Sequence, residues 1–300
     1  MNTPPEVRAI AQNVAALYAA PDTDTEMVSQ AVFGDRVTVL EEQGGFCRVA
    51  TEDQYGGWAA GGSLVPAADD SDFLPTTIST LFADVFMAPD PRSEMITKLV
   101  AGTRVPIARR AEVGDWVPLL LPDGRVGYAH RVGLSHTYGD AGGTLQGALE
   151  GGVSGQDLTA ALGRQAAETA RRLIGTPYLW GGTTPFGIDC SGLTQLAFKL
   201  NGVQLLRDAH LQWGDRRFGG VEEGLPLGAA LLEDGDLVFF SRREDGRPTH
   251  VGLALGDGRF VHARGGLGVR VDDCDAPEYM GTYVGARRLS ADADFAVEGA

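Results

Sequence analysis

Residues 176–202 read TPYLWGGTTPFGIDCSGLTQLAFKLNG, and the fold turns on how Cys190 sits in this stretch. A glycine-rich, aromatic approach (Tyr178, Trp180, Gly181, Gly182) runs into Asp189-Cys190-Ser191-Gly192, followed by apolar residues at helical spacing: Leu193, Leu196, Ala197 and Leu200. That pattern predicts a helix whose first residue is Cys190. Unpaired backbone N–H groups and the helix dipole favour an anion there, so the thiol is expected to ionise below its ordinary range and to serve as a nucleophile. Polar neighbours on both sides suggest access rather than burial.

A cysteine nucleophile needs a base. The chain has five histidines, and two of them, His250 and His262, fall in THVGLALGDGRFVHARGG. Val251–Leu255 and Arg259–Ala263 read as strands joined by Gly256-Asp257-Gly258. With that three-residue loop, 255 pairs with 259 and 250 with 264. His262 then lies diagonal to His250 on one face, within reach of a ring-to-ring hydrogen bond. A two-residue Asp257-Gly258 loop would put the rings on opposite faces. His130, His136 and His210 have no such setting and are read as structural or exposed.

The strings PYLWGG, DCSG, GDLVFF and HVGLALGDGRFVHA, in this order, resemble the NlpC-type cysteine peptidases of bacterial cell walls, a papain-like family. The resemblance covers about 155–290. It implies an α+β domain in which a helix carrying Cys packs on a sheet carrying His. It also implies Cys190 as nucleophile, His250 as general base and His262 as the orienting third residue. The activity implied is hydrolysis of the amide bond between γ-D-glutamate and a diamino acid in peptidoglycan stem peptides, with no cofactor and no metal. Asp189, Ser191, Arg207, Asp208, Tyr178 and Trp180 are expected near the substrate, with Tyr178 a candidate oxyanion donor. Ala209 stands where some relatives have a serine.

Upstream, the chain repeats itself. LYAAPDTDTEMVSQAVFGDRV (17–37) aligns without a gap on VFMAPDPRSEMITKLVAGTRV (85–105), and a two-residue shift continues the match, pairing GGFCRVA (44–50) with GDWVPLL (114–120). Short alternating strands, glycine turns and an aromatic after Gly near each end (Trp58, Tyr128) suit two small all-β barrels of ~60 residues each. Both resemble bacterial SH3-like domains, placed at 12–68 and 78–138 after a short lead-in. Glu26 and Glu94 match and are assigned to the fold. Tyr55 aligns with Arg125 and Asp35 with Thr103, so both are private to the first copy. In relatives of this architecture a first-domain tyrosine and an acidic group recognise the substrate's terminal L-Ala amine, and the resemblance offers Tyr55 with Asp35 (or Glu26) for that role.

Between 139 and 155 a glycine-rich stretch reads as a linker, and Ser154-x-x-Asp157 caps a helix that Gly175 and Pro177 end. A strand at 236–240 opens the histidine-bearing sheet and one at 283–288 closes it.

Composition sets outer limits. With 300 residues, 43% apolar and 22% charged, the balance is globular, and a net charge of -15 argues against nucleic acid and anionic membrane partners. Three cysteines at unrelated spacings suit neither a disulfide framework nor a zinc site. The start, MNTPPEVRAI, lacks a basic stretch and an apolar h-region, and no apolar run is long enough to span a bilayer, so the expectation is a cytoplasmic protein acting on released murein peptides during wall recycling. Two other readings stay open: a non-catalytic wall-peptide binder, and an acyltransferase or amidase on the same fold.

Overall fold

The structure, a computed structural model, describes residues 6–68, 73–108, 110, 112–135, 154–223 and 232–291. His136, the glycine-rich stretch expected as a linker and most of 225–232 lie outside the described residues. The chain divides into two compact units, Met1–Tyr138 and Gly139–Ala300.

The first unit holds the two copies. Strands β1 (Glu6–Ile10), β2 (Val14–Tyr18), β3 (Met27–Val32), β4 (Arg36–Gln43), β5 (Phe46–Ala50), β6 (Gly56–Ala60) and β7 (Leu64–Pro66) form one sheet in the order β3-β2-β6-β5-β4-β1-β7. The second copy runs through β8 (Pro75–Ile78), β9 (Phe82–Phe86), β10 (Met95–Val100), β11 (Arg104–Pro106), β12 (Trp116–Leu120), β13 (Val126–His130) and β14 (Leu134–Ser135). It keeps the same order in two pieces, β10-β9-β13-β12 and β11-β8-β14. Each second-copy strand begins 68 to 70 residues after its counterpart, for example β3 at Met27 and β10 at Met95, or β6 at Gly56 and β13 at Val126.

The lead-in expected before residue 12 is instead a strand. β1 pairs with β4 and β7, and Ile10 is fully buried in the first core beside Leu17, Val37 and Val49. A strand of five residues between prolines and a tight turn carries too short an alternation to announce itself. The second copy likewise begins at Pro75, three residues before the expected boundary.

The repeat also explains two private residues. Phe33, which aligns with Ala101, is buried in the second copy's core with Ile78, Val105 and Leu119, so the first copy lends the second an aromatic side chain. Asp35 ends the turn that carries Phe33: its carboxylate accepts from the Val32 N–H at 2.8 Å across Gly34, whose φ is +81°. The private carboxylate thus serves its own turn. Tyr55 lies half-buried just before β6, its carbonyl accepting from the Thr51 N–H at 3.0 Å.

In the second unit, helix α1 (Gly155–Arg171) is capped by Ser154, whose hydroxyl accepts from the Asp157 N–H at 3.1 Å. A small hairpin, β15 (Thr183–Thr184) and β16 (Gly187–Ile188), leads into α2 (Cys190–Lys199), which packs on α1. After α3 (Ala209–Trp213) come β17 (Phe218–Glu223), β18 (Leu237–Phe240), β19 (His250–Ala254), β20 (Arg259–Arg264), β21 (Gly268–Asp273), α4 (Pro277–Met280) and β22 (Tyr283–Leu289). The strands form one antiparallel sheet, β17-β22-β18-β19-β20-β21, and α2 packs against β19 and β20. This is the expected papain-like α+β arrangement. The sheet opens one strand earlier than expected, at β17, and β21 adds an edge that the sequence reading left out. No helix among the described residues is long and apolar enough to cross a membrane.

Candidate active site

The nucleophile is held from below. Asp189 caps α2, its Oδ1 accepting from the Gly192 N–H at 2.7 Å, while Oδ2 accepts from the Gly181 N–H at 3.0 Å. The same carboxylate receives both terminal nitrogens of Arg207, whose side chain is only 2% exposed. Ser191 completes the network, donating to Asp189 at 3.2 Å and accepting from Arg207 at 2.9 Å. Asp189, Ser191 and Arg207, expected near the substrate, are bonded to one another beneath the nucleophile. A buried bidentate pair of this kind must be complete, because removing one partner strands the other charge. The glycines beside it are there for room: a Cβ on Gly192 would lie 2.2 Å from the Gly182 carbonyl oxygen. The approach loop can therefore pack directly on the start of the helix.

Cys190 itself is 8% exposed, so access is narrower than its polar neighbours suggested. Burial, followed by the Asp189 charge, pushes its thiol up to about 12 in the resting site, against the lowering expected from the helix N-terminus. Hydrogen bonds from the backbone N–H groups of Val251 and Ser191 pull the other way. The first of these puts the sulfur at the residue that follows His250.

The hairpin has the three-residue Gly256-Asp257-Gly258 loop. Leu253 pairs with Val261 and Ala254 with Phe260, and the Leu255 N–H donates to the Arg259 carbonyl at 2.8 Å. His262 therefore faces Gly252 and lies diagonal to His250, and the ring nitrogens His250 Nε2 and His262 Nδ1 are 2.7 Å apart. Gly252 is required by this crossing: a Cβ there would meet Phe260 Cδ2 at 2.7 Å and the Val261 carbonyl at 2.8 Å.

Behind His262 stands a residue absent from the sequence reading. Asp272, on β21, places Oδ2 3.2 Å from His262 Nε2 and accepts there from the Tyr279 hydroxyl at 2.6 Å, while Oδ1 accepts from Arg270 at 2.6 Å. Burial pushes the Asp272 carboxyl up, but the bonds from Tyr279, His262 and Arg270 outweigh it and hold it below its usual range. An ionised carboxylate only accepts hydrogen bonds, which assigns the tautomers in sequence. His262 carries its proton on Nε2 toward Asp272; its Nδ1 then accepts from His250 Nε2–H. His250 is left with Nδ1 as its lone-pair nitrogen, the one free to take the thiol proton. Alternation of Val269 and Val271 with Arg270 and Asp272 was the available signal for this strand, but Asp272 sits in VDDCD, where a carboxylate looks solvated.

The two imidazoles lie among aromatic walls, Phe260 4.6 Å from His262 and Phe240 6.0 Å from His250 by ring centroid. Burial there, with His262 and then Arg264 and Arg242 adding to it, lowers His250 to about 3. Burial lowers His262 to about 4 although Asp272 opposes it. Burial thus disfavours both the thiolate and the imidazolium in the resting site. Tyr178 lines the pocket that His250 and His262 share, and burial with the neighbouring Cys190 raises its phenol, so it remains a donor. Trp180 is 61% exposed. Asp208 precedes α3 within electrostatic reach of Arg207 and His210. His210 contacts Arg247, and His130 caps a turn by accepting from the Val132 N–H at 3.3 Å. Among the described residues no cluster of His, Cys, Asp and Glu could hold a metal ion.

Comparison with known proteins agrees with this geometry. A sequence profile of the NlpC/P60 family matches residues 175–288, and one for the bacterial dipeptidyl-peptidase SH3 domain matches 17–64. Dipeptidyl-peptidase 6 of Lysinibacillus sphaericus is 30% identical over 280 residues, spanning 87% of this chain and 89% of its own. A γ-D-glutamyl-L-lysine dipeptidyl-peptidase of Bacillus cereus is 26% identical, spanning 88% of this chain and 75% of its own. The crystal structure of an NlpC/P60 family protein from Bacillus cereus covers 94% of this chain, and 99% of that one, with a TM-score of 0.74 at 22% identity, a likeness of fold. With a capped cysteine set against a histidine pair on the adjoining sheet, the chain belongs to the NlpC/P60 family of cysteine peptidases.

Proposed function

We propose that this peptidase cleaves the amide bond between γ-D-glutamate and the diamino acid of murein stem peptides, acting on released peptides that begin with a free L-Ala. The observation that carries the chemistry is the ordered relay from His250 through His262 to Asp272 beside Cys190, whose sulfur accepts from the N–H of Val251, the residue after His250; together they supply a nucleophile, a base of defined tautomer and a buried counter-charge. Relatives matched along most of their length are named dipeptidyl-peptidases, one of them for the γ-D-glutamyl-L-lysine bond. Release of an N-terminal dipeptide is the outcome expected if L-Ala-γ-D-Glu leaves as a unit, and it suits recycling of free peptides better than attack on intact wall.

In the first step the Cys190 proton passes to His250 Nδ1 as the sulfur bonds to the γ-carbonyl carbon. The oxyanion that forms is met by the α2 N-terminus and the Tyr178 hydroxyl. The C–N bond breaks as His250 protonates the leaving amine, giving a thioester. His250 then takes a proton from water as the hydroxide attacks, the C–S bond breaks, and the thiol is restored.

Mass-spectrometric analysis of L-Ala-γ-D-Glu-diaminopimelate, with and without N-acetylation, tests this reading. Release of L-Ala-γ-D-Glu from the free peptide and not from the acetylated one is expected. Equal cleavage of both would remove the free-amine requirement, and cleavage of neither would overturn the proposed substrate.

A further inference from the structure

The pocket beside His250 has a volume of about 220 Å³ and a charged wall that the catalytic chain does not use. His250 and Tyr178 line it, and Cys190 does not. Arg242, Thr249, Arg264 and Glu278 line it as well. Most arginines around it are already engaged. Arg243 pairs with Asp245, Arg247 contacts His210, Arg270 holds Asp272, and Arg264 bridges Asp272 at 3.6 Å and Glu278 at 3.2 Å. Arg242, exposed on the loop between β18 and β19, has no hydrogen bond or ion pair to another described residue. Its charge nevertheless reaches His250 and disfavours the protonated ring.

Geometry decides which part of the substrate meets this wall. The acyl carbon must lie against Cys190, and the leaving amine must lie against His250, which protonates it. Whatever is attached to that amine extends into the pocket that His250 lines. On the reading proposed above, this is the diamino acid. The wall presents Arg242 as an uncommitted cation, a hydroxyl from Thr249, and both signs in the Arg264–Glu278 pair. Guanidinium in such a place recognises a carboxylate by paired N–H donors.

We propose that Arg242 is a specificity-determining residue that binds a carboxylate of the leaving diamino acid, with Arg264 and Glu278 forming the zwitterionic wall beside it. Such a carboxylate has two sources: the α-carboxylate of a tripeptide that ends at the diamino acid, or the distal carboxylate of diaminopimelate, which lysine lacks. The Arg264–Glu278 pair would meet the distal ammonium in either case.

Four peptides distinguish the sources: L-Ala-γ-D-Glu followed by lysine or diaminopimelate, each with a free or amidated α-carboxylate. Loss of one charge-assisted contact corresponds to a roughly 10- to 100-fold change. In Arg242→Gln, kcat/KM is expected to fall by that factor, chiefly through KM, on the peptides bearing the recognised carboxylate, with a much smaller change on those lacking it. A loss confined to the two free acids assigns the α-carboxylate; one confined to the two diaminopimelate peptides assigns the distal group. Arg243→Gln, on the same loop but paired with Asp245, should match the wild type on all four. Equal loss on every peptide, or no loss on any, would overturn the assignment. Calorimetric titration of free diaminopimelate and lysine into wild type and Arg242→Gln gives a readout independent of turnover. If no peptide is cleaved, the substrate reading fails, and carboxylate-selective binding that disappears in Arg242→Gln would still uphold the pocket; absence of such binding would sink it.

Discussion

Replacing Asp272 with asparagine isolates the contribution of the carboxylate behind the histidine pair. The side chain accepts from Tyr279 and Arg270 at 2.6 Å each and lies 3.2 Å from His262 Nε2. Asparagine keeps the shape but offers one acceptor oxygen, and its amide nitrogen competes as a donor. Wherever that nitrogen faces His262, the ring turns to the other tautomer, His262 Nδ1 becomes the donor, and His250 loses the arrangement that leaves Nδ1 free for the thiol. The buried carboxylate of a serine-protease triad, bonded directly to its base, is worth ~10⁴-fold in kcat. Asp272 acts one ring further out, so a fall in kcat of roughly 10- to 100-fold is expected, or about 1.4 to 2.7 kcal/mol of transition-state stabilisation, with KM little changed. Steady-state hydrolysis of the free tripeptide measures this, and ¹⁵N shifts of the His250 ring report the tautomer directly. A kcat within twofold of wild type, with an unaltered His250 tautomer, would refute the relay.

Other perturbations follow from the same geometry. Tyr178→Phe removes one oxyanion donor and should lower kcat by ~100-fold, or about 2.7 kcal/mol, without shifting the thermal midpoint; an unchanged kcat would take the phenol out of the reaction. Gly252→Ala drives a methyl into the Phe260 ring and the Val261 carbonyl, so both the melting temperature of the second unit and turnover should drop, whereas retained activity would mean that the hairpin crossing can relax. Phe33→Ala empties part of the second barrel's core and should cost about 3 kcal/mol, read by denaturant unfolding of the first unit, against near-neutrality if Phe33 were merely a surface residue. The pH dependence of stability has a defined sign. His262 sits near 4 when folded and 6.5 when free, so below 6.5 the unfolded chain takes up a proton that the folded one refuses. Stability should be level just above pH 6.5 and decline toward pH 4, with His262 contributing on the order of 3 kcal/mol of the fall and buried His250, lowered to about 3, adding to it, so His262→Asn should make the decline shallower without removing it.

The parts of this molecule legible in the sequence are those in which chemistry and spacing coincide. Gly256-Asp257-Gly258 sets a hairpin register, and the register alone brings His250 to His262. The gapless match of 17–37 to 85–105 places the two barrels' strands in step, because side-chain alternation preserves a shared register. What escaped depended on burial or on distant partners. The Asp189–Arg207 pair was not legible, because nothing local shows that each neutralises the other beneath the helix. The Cys190 thiol was expected to be lowered by its helix position, yet desolvation outweighs the dipole once the sheet covers it. Asp272 was hidden in an acidic run, and only β21, pairing with β20, turns it toward His262. The turn that Asp35 closes and that delivers Phe33 was not legible either, because the core that Phe33 joins belongs to the other copy.

The most direct test of the account is hydrolysis of L-Ala-γ-D-Glu-diaminopimelate by wild type and Cys190→Ala, followed by mass spectrometry of both products and protein. The account predicts release of L-Ala-γ-D-Glu and free diaminopimelate by the wild type, a transient acyl adduct on the Cys190 peptide, and no turnover by Cys190→Ala with the fold intact. Hydrolysis of the same bond by Cys190→Ala, or an adduct on Cys47 or Cys274 instead, would contradict it.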